Sequence, residues 1–356
     1  MASTATPGSN SLPPDFLARL PGAPNGYPQK IDLIRELILC LDLNAATYRA
    51  ASFLDDRILS PSTRGGWIPI ARLVDASLQV AQAVPVHFIF HTGHVGSTLV
   101  SRLLDETGRV LSLREPLPLR TLAEVLEDLH RPWSLTSEQR FDELLDLFMR
   151  LWSRSYDPNG SVVVKATSSA GTLAPAILRR HPASRAIYLN VPAETYLATL
   201  LAGANSAQDL RGHGPSRMRR LYAGSGIEQP PLHAMSPGEL VAMSWLVESL
   251  SQRKAVQEFS GQAIAVDFDR LLANLGGAMT AILEHFELPA DAALLGRLVN
   301  SAALRSYSKA PELPFTPGHR QQLLTDARHR HAHEIRKGLE WLETLGKSYP
   351  EIAAVL

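Results

Sequence analysis

The sequence predicts an α/β protein: a central parallel sheet flanked by helices, with a helical subdomain at its N-terminal side. Three observations predict it. Short apolar runs of strand character recur at 86–90, 110–113, 162–165, 186–189 and 264–268. Longer amphipathic stretches separate them, near 97–107, 117–129, 137–154, 172–180, 193–202 and 238–258. Such alternation implies crossover connections and a sheet covered on both faces. Ahead of the first run, residues 11–84 show no strand-like stretch of any length, only helical spacing.

Bulk composition narrows the function classes. The 356 residues suffice for one large domain with an appendage, and 35 basic against 35 acidic side chains leave no formal net charge. That balance argues against a general nucleic-acid binder and against a polybasic membrane surface. Cys40 is the single cysteine, so no disulfide within the chain and no cysteine metal cluster can form. Residues 1–10 carry neither a basic n-region nor an apolar core and read as a disordered tail; no eighteen-residue apolar stretch exists to span a bilayer. A cytoplasmic protein without a metal is expected.

Taken in order, 11–29 is a Pro/Gly/Asn-rich lead-in. Ile31, Leu33, Ile34, Leu37, Ile38 and Leu41 recur at helical spacing, and further helices are expected over 48–58 and 71–83. Residues 1–84 therefore form the tail and helical subdomain, 85–303 the α/β core and 304–356 a C-terminal segment. Within the core, periodicity fails between 203 and 237, which reads as a long irregular insertion of the lid or recognition kind, carrying Arg217, Arg219 and Arg220. Beyond the last strand, helices are expected over 271–286 and 318–345, the second containing His329, His331 and His333. On a helix only the first and last of these share a face, with no third well-placed ligand, so they read as a polar surface.

The chemistry gathers where the strands end. The first core strand runs into Thr92-Gly93-His94-Val95-Gly96, and an apolar periodic segment starts at Ser97. Strand, tight glycine loop and helix aim orphan backbone N–H groups at a phosphate, and Ser97 and Thr98 add hydroxyls in the first turn. The pattern is not Walker A, because two glycines stand three apart and no lysine precedes Ser97. Glu115, Lys165 and Asn190 also close strands, and ligands of parallel sheets bind past those carboxyl ends. Lys165 ends an otherwise apolar strand, Val162-Val163-Val164, where a lysine is costly to bury unless it snorkels or serves a ligand.

These residues resemble the sulfotransferase superfamily, its bacterial members and, among well-understood branches, the tyrosylprotein sulfotransferases. Gly93, His94, Val95, Gly96, Ser97 and Thr98 resemble the 5′-phosphosulfate loop, with His94 in place of its basic residue and Ser97 and Thr98 in place of its two threonines. The resemblance implies a P-loop NTPase-like sulfotransferase fold that uses 3′-phosphoadenylyl sulfate as cosubstrate. It further implies Glu115 as the general base, Lys165 as the group that stabilises charge on the bridging oxygen, and Ser308, in Tyr307-Ser308-Lys309, as a phosphate contact. Lys309 would neutralise a phosphate of the cosubstrate or point to solvent. The acceptor would be a hydroxyl or amine of a small molecule or peptide.

One departure argues against a conventional donor. Where the family has Arg-x-Pro this chain has Asn190-Val191-Pro192, with Ala198 at the usual serine position. Asparagine replaces neither the charge nor the bidentate fork of arginine. Arg336-Lys337-Gly338 resembles a phosphate-binding segment of cytosolic sulfotransferases, but inside the expected terminal helix. Two other readings stay open on the same fold: a nucleotide-dependent, kinase-like phosphotransferase and an inactive nucleotide-binding module.

Overall fold

The computed structural model describes residues 11–80, 83–203, 206–225, 231–308, 310–314 and 316–356. The tail expected over 1–10 lies outside them. The chain divides into two compact units, 1–89 with 98–185 and 284–290, and 90–97 with 186–283 and 291–356.

In the first unit, α1 (Phe16–Arg19) precedes three strands, β1 (Gly26–Asp32), β2 (Leu37–Asp42) and β3 (Gly65–Pro69), which pair antiparallel in that order. The helix expected across 31–41 is instead a β-hairpin. Asp32 explains the difference: its Oδ1 accepts from the amides of Ile34 and Arg35 at 3.1 and 2.9 Å, and Glu36 takes a left-handed φ of 54°. This turn reverses the chain inside the apolar spacing. Ile34, counted on the apolar face of the expected helix, is 84% exposed at the hairpin tip. The remaining expected helices are shorter, α2 (Ala45–Ala50) and α3 (Ile70–Ser77).

Parallel strands follow: β4 (Val86–His91), β5 (Val110–Arg114) and β6 (Ser161–Lys165), with β6 paired to both others. All three are buried along their whole length, as near-continuous apolar runs require. Between them run α4 (Ser97–Asp105), α5 (Leu117–Asp128) and α6 (Glu138–Trp152), and α7 (Ala174–Arg180) comes next.

In the second unit β7 (Ala186–Asn190) and β8 (Ala263–Asp267) pair parallel. The five core strands lie in the order β5-β6-β4-β7-β8, so the expected parallel sheet flanked by helices is present. Chain progress reverses direction across the sheet at β4, the strand that feeds the glycine loop, and such a switch point is where open α/β sheets bind ligands.

α8 (Ala193–Ala202) follows β7, and the expected irregular insertion is mostly helical, α9 (Ser206–Ser225); residues 204–205 and 226–230 lie outside those described. Among its residues whose burial is described, the buried ones are Ser206, Leu210, Gly214, Arg217 and Leu221. They repeat every three or four residues, but only two are apolar, which hides the helical period from a hydrophobicity reading. α10 (Pro237–Glu258) opens with a Ser236–Glu239 capping box. α11 (Phe268–Ala273) and α12 (Leu275–His285) replace the single helix expected over 271–286. α13 (Ala292–Val299) precedes a two-stranded hairpin, β9 (Ser306–Tyr307) with β10 (Ala310–Pro314). The long terminal helix is broken at His331 into α14 (Pro317–Arg330) and α15 (Ala332–Ser348), before the short α16 (Pro350–Ala353).

Candidate active site

In the second unit the glycine loop leaves β4 through three left-handed residues, Gly93 at φ 104°, His94 at 54° and Gly96 at 74°. Such residues turn successive N–H groups toward one concave side, a ready anion cradle. Gly96 is required twice over, by its φ and by space: a Cβ there would stand 2.0 Å from the ring of Phe268. Val95 is wholly buried and pins the loop, while His94 is exposed at its tip.

The loop is braced from below. Tyr196 on α8 donates its hydroxyl to the Thr92 carbonyl at 2.9 Å and lies 3.1 Å from the Ser244 hydroxyl. Thr92 in turn donates to Asn190 Oδ1 at 3.3 Å. Asn190 Oδ1 also accepts from Trp245 Nε1 at 3.1 Å and from the Val191 amide at 2.7 Å, and its Nδ2 donates to Ser249 at 3.1 Å. An amide engaged by four protein groups has little capacity left for a ligand. Asn190 thus positions Thr92 at the head of the loop.

Ser97 and Thr98 open α4, both buried. Among the described residues, the buried Thr98 Oγ1 has no hydrogen-bond partner. A buried hydroxyl without a partner forfeits on the order of 1–3 kcal/mol, which an oxyanion placed at the helix start would recover.

The first unit holds Glu115 and Lys165. Arg114 and Lys165 are opposite each other in the β5/β6 register, and the Glu115 amide donates to the Lys165 carbonyl at 2.7 Å. Glu115 departs from the strand at φ 57°, left-handed for a residue with a Cβ, a strain of about 1 kcal/mol that surrounding structure must hold. The turn brings its carboxylate onto the Lys165 ammonium, which donates to Oε1. Lys165 is wholly buried and Glu115 side chain 15% exposed. Burial pushes the Lys165 pKa down, and the Glu115 carboxylate opposes that shift. The lysine is thus a cation kept in a poorly hydrated place by one carboxylate.

Two neighbours of this pair have no sequence signal, because they lie in a stretch that reads as helix. Arg57 Nη2 stands 4.0 Å from Glu115 Oε2, and its guanidinium stacks 3.3 Å over the Phe53 ring. Arg57 is fixed by Asp55, which accepts from its Nε at 2.8 Å. Buried Arg114 carries this segment: its Nη1 donates to the carbonyls of Tyr48 and Ala51 at 3.0 and 2.9 Å, and its own carbonyl accepts from the Leu54 amide at 2.7 Å.

Ser308 sits half-buried between β9 and β10, and Lys309 lies outside the described residues. Two arginines of the expected insertion, Arg217 and Arg220, bind Glu248, at 3.3 and 2.6 Å. Arg336 is on the exposed surface of α15, beside His333 and Glu340. Among the described residues no group of three or more His, Cys, Asp or Glu is arranged to share a metal ion. His87 packs 4.9 Å from the Phe286 ring and accepts from the Arg185 amide at 3.1 Å. Among the described residues no helix is long and apolar enough to cross a membrane.

No family model matches the chain, and no curated protein does. Solved structures do. The sulfotransferase domain from the curacin biosynthetic pathway is 13% identical, over 74% of this chain and 99% of that domain, with a TM-score of 0.40. A sulfotransferase of Mycobacterium tuberculosis is 15% identical over 74% of this chain and 82% of its own, TM-score 0.39. A sulfotransferase from Alicyclobacillus acidocaldarius is 11% identical over 74% and 96%, TM-score 0.38. These three solved structures are sulfotransferases. At such identities the assignment of an activity rests on the residues themselves.

Proposed function

We propose that the protein is a sulfotransferase that moves the sulfuryl group of 3′-phosphoadenylyl sulfate to a hydroxyl or amine of a small-molecule or peptide acceptor. The observation that carries this reading is the loop: three left-handed residues lead into α4, where the buried Thr98 hydroxyl has no protein partner among the described residues. Backbone N–H groups, Ser97 and Thr98 would bind the 5′-phosphosulfate end. The acceptor oxygen or nitrogen forms a bond to sulfur as the bond from sulfur to the bridging phosphate oxygen breaks. The acceptor proton goes to the Glu115 carboxylate, and adenosine 3′,5′-bisphosphate leaves with the negative charge.

Lys165 has a role that its pairing explains. While Glu115 is ionised, the buried ammonium is held by it. When Glu115 takes the acceptor proton, that attraction disappears, and the lysine would serve the oxygen on which negative charge develops. Proton uptake and leaving-group stabilisation are thereby linked in one pair. Ser308 and Lys309 would contribute phosphate contacts in this reading.

A second reading, a kinase-like transfer from ATP, is favoured by one observation, the neutral and internally engaged Asn190 where an arginine would grip a 3′-phosphate. Incubation with 3′-phosphoadenylyl sulfate and a pool of hydroxyl- and amine-bearing small molecules and peptides, followed by mass spectrometry, decides between them. Release of adenosine 3′,5′-bisphosphate with a sulfated product supports sulfuryl transfer. Phosphorylated products from an ATP-supplied control, with none from the sulfated donor, refute it.

A further inference from the structure

In the first unit the Glu115 carboxylate lies between two cations. Oε1 accepts from the Lys165 ammonium, while Arg57 Nη2 stands 4.0 Å from Oε2. Lys165 is wholly buried and the Arg57 side chain is 56% exposed, so the carboxylate opens to solvent on its Arg57 side. Arg57 is held there as a rigid donor. Its guanidinium stacks 3.3 Å over the Phe53 ring, and its Nε and Nη2 donate to Asp55. Those bonds use two of the five N–H donors of a guanidinium, and one of the others is on Nη2 itself. The segment leading to Arg57 is anchored in turn, by Arg114 on the Tyr48 and Ala51 carbonyls and by Arg102 Nη2 on the Ser52 hydroxyl at 2.8 Å.

A separation of 4.0 Å is too long for a hydrogen bond and suits one shared atom. An oxygen about 2.8 Å from both Nη2 and Oε2 closes the triangle with an angle of about 90° at that oxygen. A hydroxyl meets both groups: it gives its proton to Oε2, accepts from Nη2 with one lone pair, and keeps the second lone pair for attack. An amine does not. As an ammonium, its usual state at neutral pH, it has only donors and adds a third cation beside Lys165 and Arg57. As a free amine it has a single lone pair, which is the nucleophile and which a bond from the guanidinium would occupy.

We propose that Arg57 selects the acceptor: it donates to the acceptor oxygen beside Glu115 Oε2 and so restricts transfer to hydroxyls, to the exclusion of amines. The inference rests on the sulfuryl-transfer reading and narrows its acceptor class. In that step the hydroxyl oxygen forms the bond to sulfur as its proton passes to Oε2. The bond from sulfur to the bridging phosphate oxygen breaks, and adenosine 3′,5′-bisphosphate leaves with the electron pair. Arg57 offsets the negative charge that gathers on the acceptor oxygen as its proton departs.

The test supplies 3′-phosphoadenylyl sulfate and a pool of alcohols, phenols and hydroxyl-bearing peptides, each matched by the amine of the same skeleton, to the full chain and to Arg57→Gln and Arg57→Lys. Mass spectrometry locates the sulfate, and kcat/KM is measured for each matched pair that reacts. The unaltered protein should sulfate oxygen at least tenfold faster than nitrogen. Arg57→Gln should lose tenfold or more on hydroxyls and little on amines, bringing the ratio toward one, while its affinity for adenosine 3′,5′-bisphosphate stays unchanged and shows that it folds. Arg57→Lys, which keeps a charged donor, should recover part of the loss. Sulfation of nitrogen by the unaltered protein, an equal loss on both acceptor types, or no loss overturns the role of Arg57 while sulfuryl transfer stands. If the unaltered protein releases no adenosine 3′,5′-bisphosphate from the donor with any member of the pool, the sulfuryl-transfer reading falls and this inference with it.

Discussion

Lys165 and Glu115 are joined twice, through the Glu115 amide on the Lys165 carbonyl at 2.7 Å and through the Lys165 ammonium on Glu115 Oε1. The backbone bond fixes the carboxylate at the end of β6, and the side-chain bond holds a charge in a site that burial disfavours. Replacing Glu115 by Gln keeps an oxygen for the ammonium but removes the proton acceptor. Turnover should fall by roughly 10²–10⁴-fold, the usual contribution of a general base, with nucleotide affinity nearly intact. Single-turnover rates alongside nucleotide titration check this; an unchanged rate would remove Glu115 from the chemistry.

Thr98→Val predicts opposite signs for two measurements. In the free protein the change removes a buried hydroxyl without a partner among the described residues, so stability to urea should hold or rise by about 1 kcal/mol. Affinity for adenosine 3′,5′-bisphosphate should fall about tenfold, as one hydrogen bond to a charged group is lost. A fall in stability with unchanged affinity would mean that the hydroxyl serves the core rather than a ligand.

How much of this was legible in the sequence depended on which residues occupy the buried positions. The core strands were readable because apolar runs such as Val162-Val163-Val164 are themselves the buried surface. The loop was readable because Gly93 and Gly96 mark backbone conformations that other residues avoid. α9 was not, since its buried stripe includes Gly214 and Arg217. The first hairpin is hidden because apolar residues on two strands and a turn match a helical period, which the Asp32 turn overrides. Arg57 and Phe53 reach Glu115 and Lys165 through a segment tied down by Arg114, a long-range relationship with no local sequence signal.

His87 gives the protein an acid-sensitive term independent of the site. Burial, reinforced by the positive charge of Arg185, pulls its pKa from 6.5 to about 4. Below 6.5 the unfolded chain takes up a proton that the folded state refuses, so stability present at neutral pH is lost as the pH falls from 6.5 toward 4. The loss amounts to about 3 kcal/mol. Asn at position 87 offers an oxygen to the Arg185 amide and has no titration in this range. The difference in urea stability between His87→Asn and the unaltered protein should therefore depend on pH between 4 and 6.5; parallel curves would show that His87 does not titrate in this way.

The most direct test of sulfuryl transfer is a side-by-side titration of the protein with adenosine 3′,5′-bisphosphate, adenosine 5′-monophosphate, ADP and ATP with magnesium. The glycine loop, with the Thr98 hydroxyl at the start of α4 that has no partner among the described residues, predicts binding. Sulfuryl transfer from 3′-phosphoadenylyl sulfate predicts that the bisphosphate binds best, by tenfold or more, equivalent to about 1.4 kcal/mol. A preference for ATP with magnesium, or no binding of any of the four, would contradict sulfuryl transfer.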